Sequence, residues 1–254
     1  MKKFISNKYT LYGLGIILFL IIWFIISLII NENVLIFPNP INTFSYLFSS
    51  LGKSYIYKCI ATSLLRMIIG FLGAFVLALI FGIIAGENEN IENLFKPTMT
   101  VIKSIPTATI TFLFLILIGA KSAPILIVML ISFPILYESV VGGFKNIDVG
   151  ILNSLALERK PHLVKIIKVK LPLSMPHIIV GITSSFALSF KIEIMAEIVM
   201  GDTGLGLGSA ILSAQRIDPT NMVPIFAYSL IAIIFMLIFS LINLIIKKKF
   251  NFQK

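Results

Sequence analysis

GFKNIDVGILNSLALERKPHLVKIIKVKLP, residues 143–172, is the stretch on which the reading of this chain turns. It carries Lys145, Arg159, Lys160, Lys165, Lys168 and Lys170, and it interrupts an otherwise strongly hydrophobic sequence. Two apolar clusters recur within it at helical spacing: Leu152, Leu155 and Ala156, then Leu163, Ile166 and Ile167. Pro161 stands between them, where it ends one helix and suits the first turn of the next. A loop that is merely solvated has no use for an apolar face. A loop that docks onto another protein does.

Outward from this loop the chain is oily in both directions. With 58% hydrophobic and only 13% charged residues in 254, it is too poor in charge to cover itself as a soluble domain. Crossing a bilayer takes about 20 apolar residues per helix. Runs of that length fall at roughly 11–30, 60–86, 98–118, 123–142, 175–198 and 222–246, which predicts an all-α integral membrane protein with six spans. The first run follows Lys2, Lys3 and Lys8 but exceeds a signal peptide's apolar core of about 7–15 residues. No small-residue cleavage site follows it, so it reads as a retained helix. The chain divides into a first helix with an outer segment (1–59), a core membrane domain (60–248) and a basic tail (249–254).

An even number of spans puts both termini on one side. Lys2, Lys3, Lys8, the loop cluster, Lys247–Lys249 and Lys254 then share that side, while only Lys53, Lys58, Lys121 and Arg216 lie opposite. The positive-inside rule makes the crowded side, with both termini, cytoplasmic at the cell membrane. The net charge of +10 is thereby spent on topology, and no nucleic-acid partner is needed to explain it. Cys59 has no second cysteine to pair with, and His162 and His177 make no metal-binding spacing. No catalytic constellation, metal site or cofactor motif is expected: His-Glu-x-x-His and a nucleophile elbow are both missing.

Individual spans carry further patterns. Gly70, Ala74, Ala78, Gly82 and Gly86 recur every four residues, a smooth stripe suited to close helix packing. Arg66, a turn inside the end of the same helix, reads as an anchor snorkelling to the interface. Pro106 predicts a kink in the third span, on which Thr100, Ser104, Thr107 and Thr111 share a face. Gly181, Ser185, Ser189, Glu193 and Glu197 form a second polar stripe on the fifth. Ser104, Thr107, Thr111, Ser185, Ser189, Glu193 and Glu197 are candidates to line a translocation path, with interhelical bonding or a headgroup boundary as the alternatives. The outer-mouth sequence GDTGLGLGSAI (201–211), including Gly204, Leu205 and Gly206, lacks the Lys-Ser/Thr of a phosphate loop and reads as a tight re-entrant turn.

In order along the chain stand Phe37-Pro38-Asn39-Pro40, Ser63-Leu64-x-Arg66 with Gly70-Phe71, Gly82, Pro97, Ile105-Pro106 and Gly119. Lys168-Val169-x-Leu171-Pro172, Pro176, Gly181, Ala196-Glu197 and Gly204-Leu205-Gly206 follow. In this order and spacing the chain resembles the membrane-spanning permease subunit of bacterial ABC importers, of the nitrate/sulfonate/taurine type. The resemblance implies a six-helix permease bundle whose 143–172 loop carries a cytoplasmic coupling helix. It implies as partners two ATPase subunits, a second copy of the chain and an extracellular substrate-binding lipoprotein. ATP hydrolysis would belong to the ATPase, and the solute would fall in the nitrate/sulfonate/taurine or thiamine-precursor range.

The residues assigned to coupling are Asn153, Leu155, Ala156, Arg159, Leu163, Lys165, Ile166, Ile167, Leu171 and Pro172. Asn153 and Arg159 depart from the pattern, standing where the family has Glu and Gly. Two readings of other classes compete: a stand-alone ion-driven carrier or channel, and a membrane scaffold. The first commonly needs ionisable groups at mid-membrane, whereas here the acids sit near helix ends.

Overall fold

The computed structural model describes residues 8–30, 37–201 and 203–249. Lys2, Lys3 and Lys254 of the charge argument, and residues 31–36, lie outside the described residues. Among the described residues all regular structure is helical. The first helix, α1 (Lys8–Ile29), is followed by a short α2 (Pro40–Leu51), which begins where the Asn39 side chain accepts from the Ile41 amide at 2.8 Å. The two are pinned together by Trp23, whose indole donates to the Pro38 carbonyl at 3.1 Å.

Then comes α3 (Ser54–Glu87), 34 residues without a break. At 1.5 Å per residue it runs roughly 50 Å, well beyond a hydrocarbon core of about 30 Å. The third expected span is corrected. Instead of one kinked helix from 98, the chain forms α4 (Glu89–Ser104) and α5 (Thr107–Ile118), bent 93° apart. Asn88 caps α4 early, and Pro97 is absorbed inside it. The break falls at Ile105, driven into extended backbone (φ −72, ψ 128) as the residue before Pro106.

The remaining helices are α6 (Ala123–Lys145), α7 (Val149–Leu157), α8 (His162–Lys165), α9 (Leu171–Met200), α10 (Leu207–Ile217) and α11 (Val223–Lys249), with a π-helical turn, Ile166–Lys170, joining α8 to α9. Among the described residues five helices are long and apolar enough to cross a membrane, six if the bent pair counts as one span. Helices α2 and α10 were not foreseen. Both are short, and their hydrophobic residues are too few to stand out in so apolar a sequence.

The core is α6 packed between α3 and α9. The small-residue stripe makes this possible. A β-carbon on Gly82 would come within 2.7 Å of Val140, and one on Gly86 within 2.7 Å of Phe144. On the other flank a β-carbon on Gly143 would meet Ser174 at 2.9 Å. The stripe is bundle packing, with close approach traded for side-chain bulk. Near the loop, Val140, Phe144, Ile166 and Ile178 form a second buried cluster, so the 143–172 segment is seated on the helices it connects.

Candidate functional site

Two polar networks sit at opposite ends of α3. The first gathers Ser63, Arg66 and Glu197 around the glycine-rich turn. Glu197 is fully buried on α9. Arg66 Nη1 donates to its Oε1 at 2.9 Å, Ser63 Oγ donates to its carboxylate at 2.8 Å, and the Gly208 amide donates to Oε2 at 2.8 Å. Arg66 uses the rest of its fork on the turn itself, donating to the carbonyls of Leu205 (2.9 Å) and Thr203 (2.7 Å). Ser63 Oγ in turn accepts from the Leu207 amide at 2.8 Å. The first two amides of α10 are thus capped by residues of α3 and α9, and a carboxylate sits at the positive end of a helix.

This overturns the reading of Arg66 as a snorkelling anchor: its side chain is 13% exposed and turned inward. An acid more than a hundred residues away supplied the partner, which no local pattern reveals. The glycine-rich segment turns at Gly201 and Gly204, at φ +85° and +80°, where only glycine is unstrained. It feeds directly into α10. Gly206 and Gly208 leave room for Glu197, since a β-carbon on Gly206 would collide with its carboxylate and one on Gly208 would lie 2.6 Å from its Cβ.

One turn earlier on α9, Glu193 is also fully buried, and neither of its oxygens has a hydrogen-bond partner among the described residues. Ser185 and Ser189 are equally enclosed: Ser189 bonds Ser132 of α6 at 2.7 Å, and Ser185 returns its proton to the Gly181 carbonyl. The stripe on α9 therefore faces the interior of the bundle. On the other stripe Ser104 is exposed, Thr107 half-buried and Thr111 buried. The hydroxyls of Thr100, Ser104 and Thr111 each bond a carbonyl four residues back in the chain, at 2.8–2.9 Å. Among the described residues they make neither interhelical bonds nor a bridge.

The second network closes the 143–172 loop. Asp148 caps α7, its Oδ1 accepting from the Gly150 and Ile151 amides at 2.7 and 3.3 Å. Lys165 Nζ donates to the Leu155 carbonyl at 2.6 Å and so holds the last turn of α7 against α8. Lys170 Nζ lies 2.6 Å from Glu87 at the end of α3, and His162 Nε2 lies 3.4 Å from the same carboxylate. Lys145 pairs with Glu92 of α4 at 2.6 Å.

Leu155 and Ile166 are buried inside this assembly, at 8% and 6% exposure. Ala156, Leu163 and Ile167 are exposed, as are Val149 and Leu157, which the sequence reading passed over. Asn153 lies exposed on α7 and Arg159 exposed in the connection to α8; Leu171 and Pro172 open α9. Asp148, Ile151, Ser154, Leu157 and Glu158 rim a shallow hollow floored by Leu155.

A helical bundle with membrane-length helices and a sharply bent helix pair is the architecture of a multi-pass membrane protein. Residues 78–252 match the family of binding-protein-dependent transport system inner membrane components, and the chain belongs to that family, the permease subunits of ABC importers. It is 28% identical over 204 residues to SsuC of Bacillus subtilis (strain 168), named for aliphatic sulfonates transport, covering 80% of this chain and 73% of that one. It is 28% identical over 207 residues to the bicarbonate transport system permease CmpB of Synechococcus elongatus, covering 76% and 73%. The crystal structure of an amino acid ABC transporter with histidines shares the fold, with a TM-score of 0.62 at 16% identity, over 81% of this chain and 95% of that one.

Proposed function

We propose that this chain forms the translocation path of an ATP-driven importer, working as two copies with two ATPase subunits and an extracellular binding protein. The 143–172 end is cytoplasmic and the glycine turn faces outward. The observation that carries this reading is the loop. Leu157 is 88% exposed and Leu163 69% exposed, on short helices held by the Asp148 cap, the Lys165 bond to Leu155 and the Lys170–Glu87 ion pair. Rigid apolar side chains held beyond the bilayer are a docking surface without its partner.

Helix α7 is the coupling helix. The docking face is Val149, Ile151, Leu157 and Leu163, while Leu155, Lys165 and Ile166 hold the loop together from within. The path follows the hydroxyls at the break between α4 and α5, exposed Ser104 and half-buried Thr107. Ser185, Ser189, Glu193 and Glu197 are too deeply enclosed to meet a solute passing between two protomers. Relatives named for sulfonate and bicarbonate transport favour a small oxyanion as the solute.

The test is a pull-down and uptake assay with Leu157→Asp and Leu163→Asp. Both substitutions should abolish ATPase association while leaving the protomer folded, since neither side chain is buried. Uptake by purified chain in vesicles without an ATPase would instead favour a stand-alone carrier.

A further inference from the structure

Helices α3 and α9 run antiparallel and are tied at both ends. Arg66 meets Glu197 near one end, and Glu87 meets Lys170 at the other. Between Arg66 and Glu87 α3 is a single helix, so the ties stand roughly 30 Å apart. Both are poorly hydrated: Glu87 and Lys170 are 15% and 16% exposed, and Glu197 is fully buried. Poorly hydrated ion pairs with short contacts resist separation far better than exposed ones, which contribute little. Beyond the inner tie stands α7, held through Lys165. Beyond the outer tie stands the glycine turn, held by Arg66 on two carbonyls.

Resting on the importer reading above, we infer that Glu87 is a positioning residue that converts movement of the coupling loop into movement of the outer turn. Glu87 ends α3 and receives both Lys170 and His162, the residues that open α9 and α8. A pull on α8 therefore reaches α3 as well as α9, and the two helices travel as one frame. Without Glu87 the loop still docks, because its apolar face and its internal bond to Leu155 are untouched. Its displacement is then taken up by bending at the π-helical turn, where backbone hydrogen bonding is already irregular.

The experiment uses the full chain assembled with its ATPase, with the single cysteine removed (Cys59→Ser) and a reporter thiol placed on the outer turn (Leu205→Cys). The rate of maleimide modification is measured with and without ATP–vanadate. In this background trapping should change the rate severalfold. Glu87→Gln and Lys170→Met should each bring the ratio close to one while ATPase co-purification stays unchanged. The exchange Glu87→Lys with Lys170→Glu should restore it. A full nucleotide response in Glu87→Gln, or no recovery in the exchanged pair, overturns the inference. Failure of the unaltered chain to bind the ATPase at all overturns the importer reading first, and this inference with it.

Discussion

Arg66 Nη1 lies 2.9 Å from Glu197 Oε1, joining two helices through residues 131 positions apart in the chain. The pair sits where α3, α9 and the glycine turn meet, and both Glu197 oxygens and both terminal Arg66 nitrogens have hydrogen-bond partners there. Removing one side of such a pair strands the other without water. Glu197→Leu should destabilise the protomer by about 3–5 kcal/mol. Arg66→Lys should also lower stability, since an ammonium cannot serve three acceptors in the geometry of a guanidinium fork. Thermal unfolding in detergent checks both, and a Glu197→Leu protein as stable as the parent would contradict this account.

Glu193 gives the opposite expectation. It is as buried as Glu197 but has no hydrogen-bond partner among the described residues. An unsatisfied buried polar group costs about 1–3 kcal/mol, and replacing it with an apolar residue of similar shape removes that cost. Glu193→Met should leave the melting temperature unchanged or raise it. If it lowers stability as much as Glu197→Leu does, Glu193 has a partner that the protomer alone does not supply.

How much of this was legible in the sequence depends on the range over which the cause acts. Periodicity located the membrane runs, and the four-residue spacing of Gly70 to Gly86 announced close packing, because both signals lie within one helix. Pro161 separated the two loop helices for the same local reason. Pro106 announced a kink, but a 93° break also needs somewhere for α4 to go, and α4 packs against α3 and α6, with Phe95 on Phe81 and Tyr137. Arg66 was misread because snorkelling and inward pairing look identical until Glu197 is brought alongside. The apolar clusters of the loop were seen, yet which members face inward was not. Leu155 and Leu157 are equally apolar and two residues apart, yet one is 8% and the other 88% exposed, a difference set by which side of α7 the rest of the chain covers.

The packing stripe can be tested at a single methyl group. A β-carbon on Gly82 would come within 2.7 Å of Val140 Cβ, whereas one on Gly13 in α1 would meet nothing within 4 Å. Gly82→Ala must push α3 and α6 apart, an overpacking cost of about 1–3 kcal/mol. Gly13→Ala should be neutral or slightly stabilising, since alanine is the better helix former. Comparing the thermal stability of the two variants checks the stripe directly, and equal stability would mean that α3 and α6 do not approach as described.

The 143–172 loop offers a graded test through the cap on α7. Asp148 accepts hydrogen bonds from two otherwise orphaned amides at 2.7 and 3.3 Å, and α7 has only nine residues, too few to hold together by propensity. Asp148→Ala should cost about 1 kcal/mol of order in α7. If docking requires the helix to be formed, ATPase affinity should fall about fivefold. Asp148→Asn keeps the cap and drops the charge, so it should retain near-parental affinity unless the carboxylate itself touches the ATPase. Because Asp148 also borders the hollow over Leu155, the Asn variant separates helix order from direct contact. Affinity that is unchanged in Asp148→Ala would show that α7 is ordered by the partner rather than by its own cap.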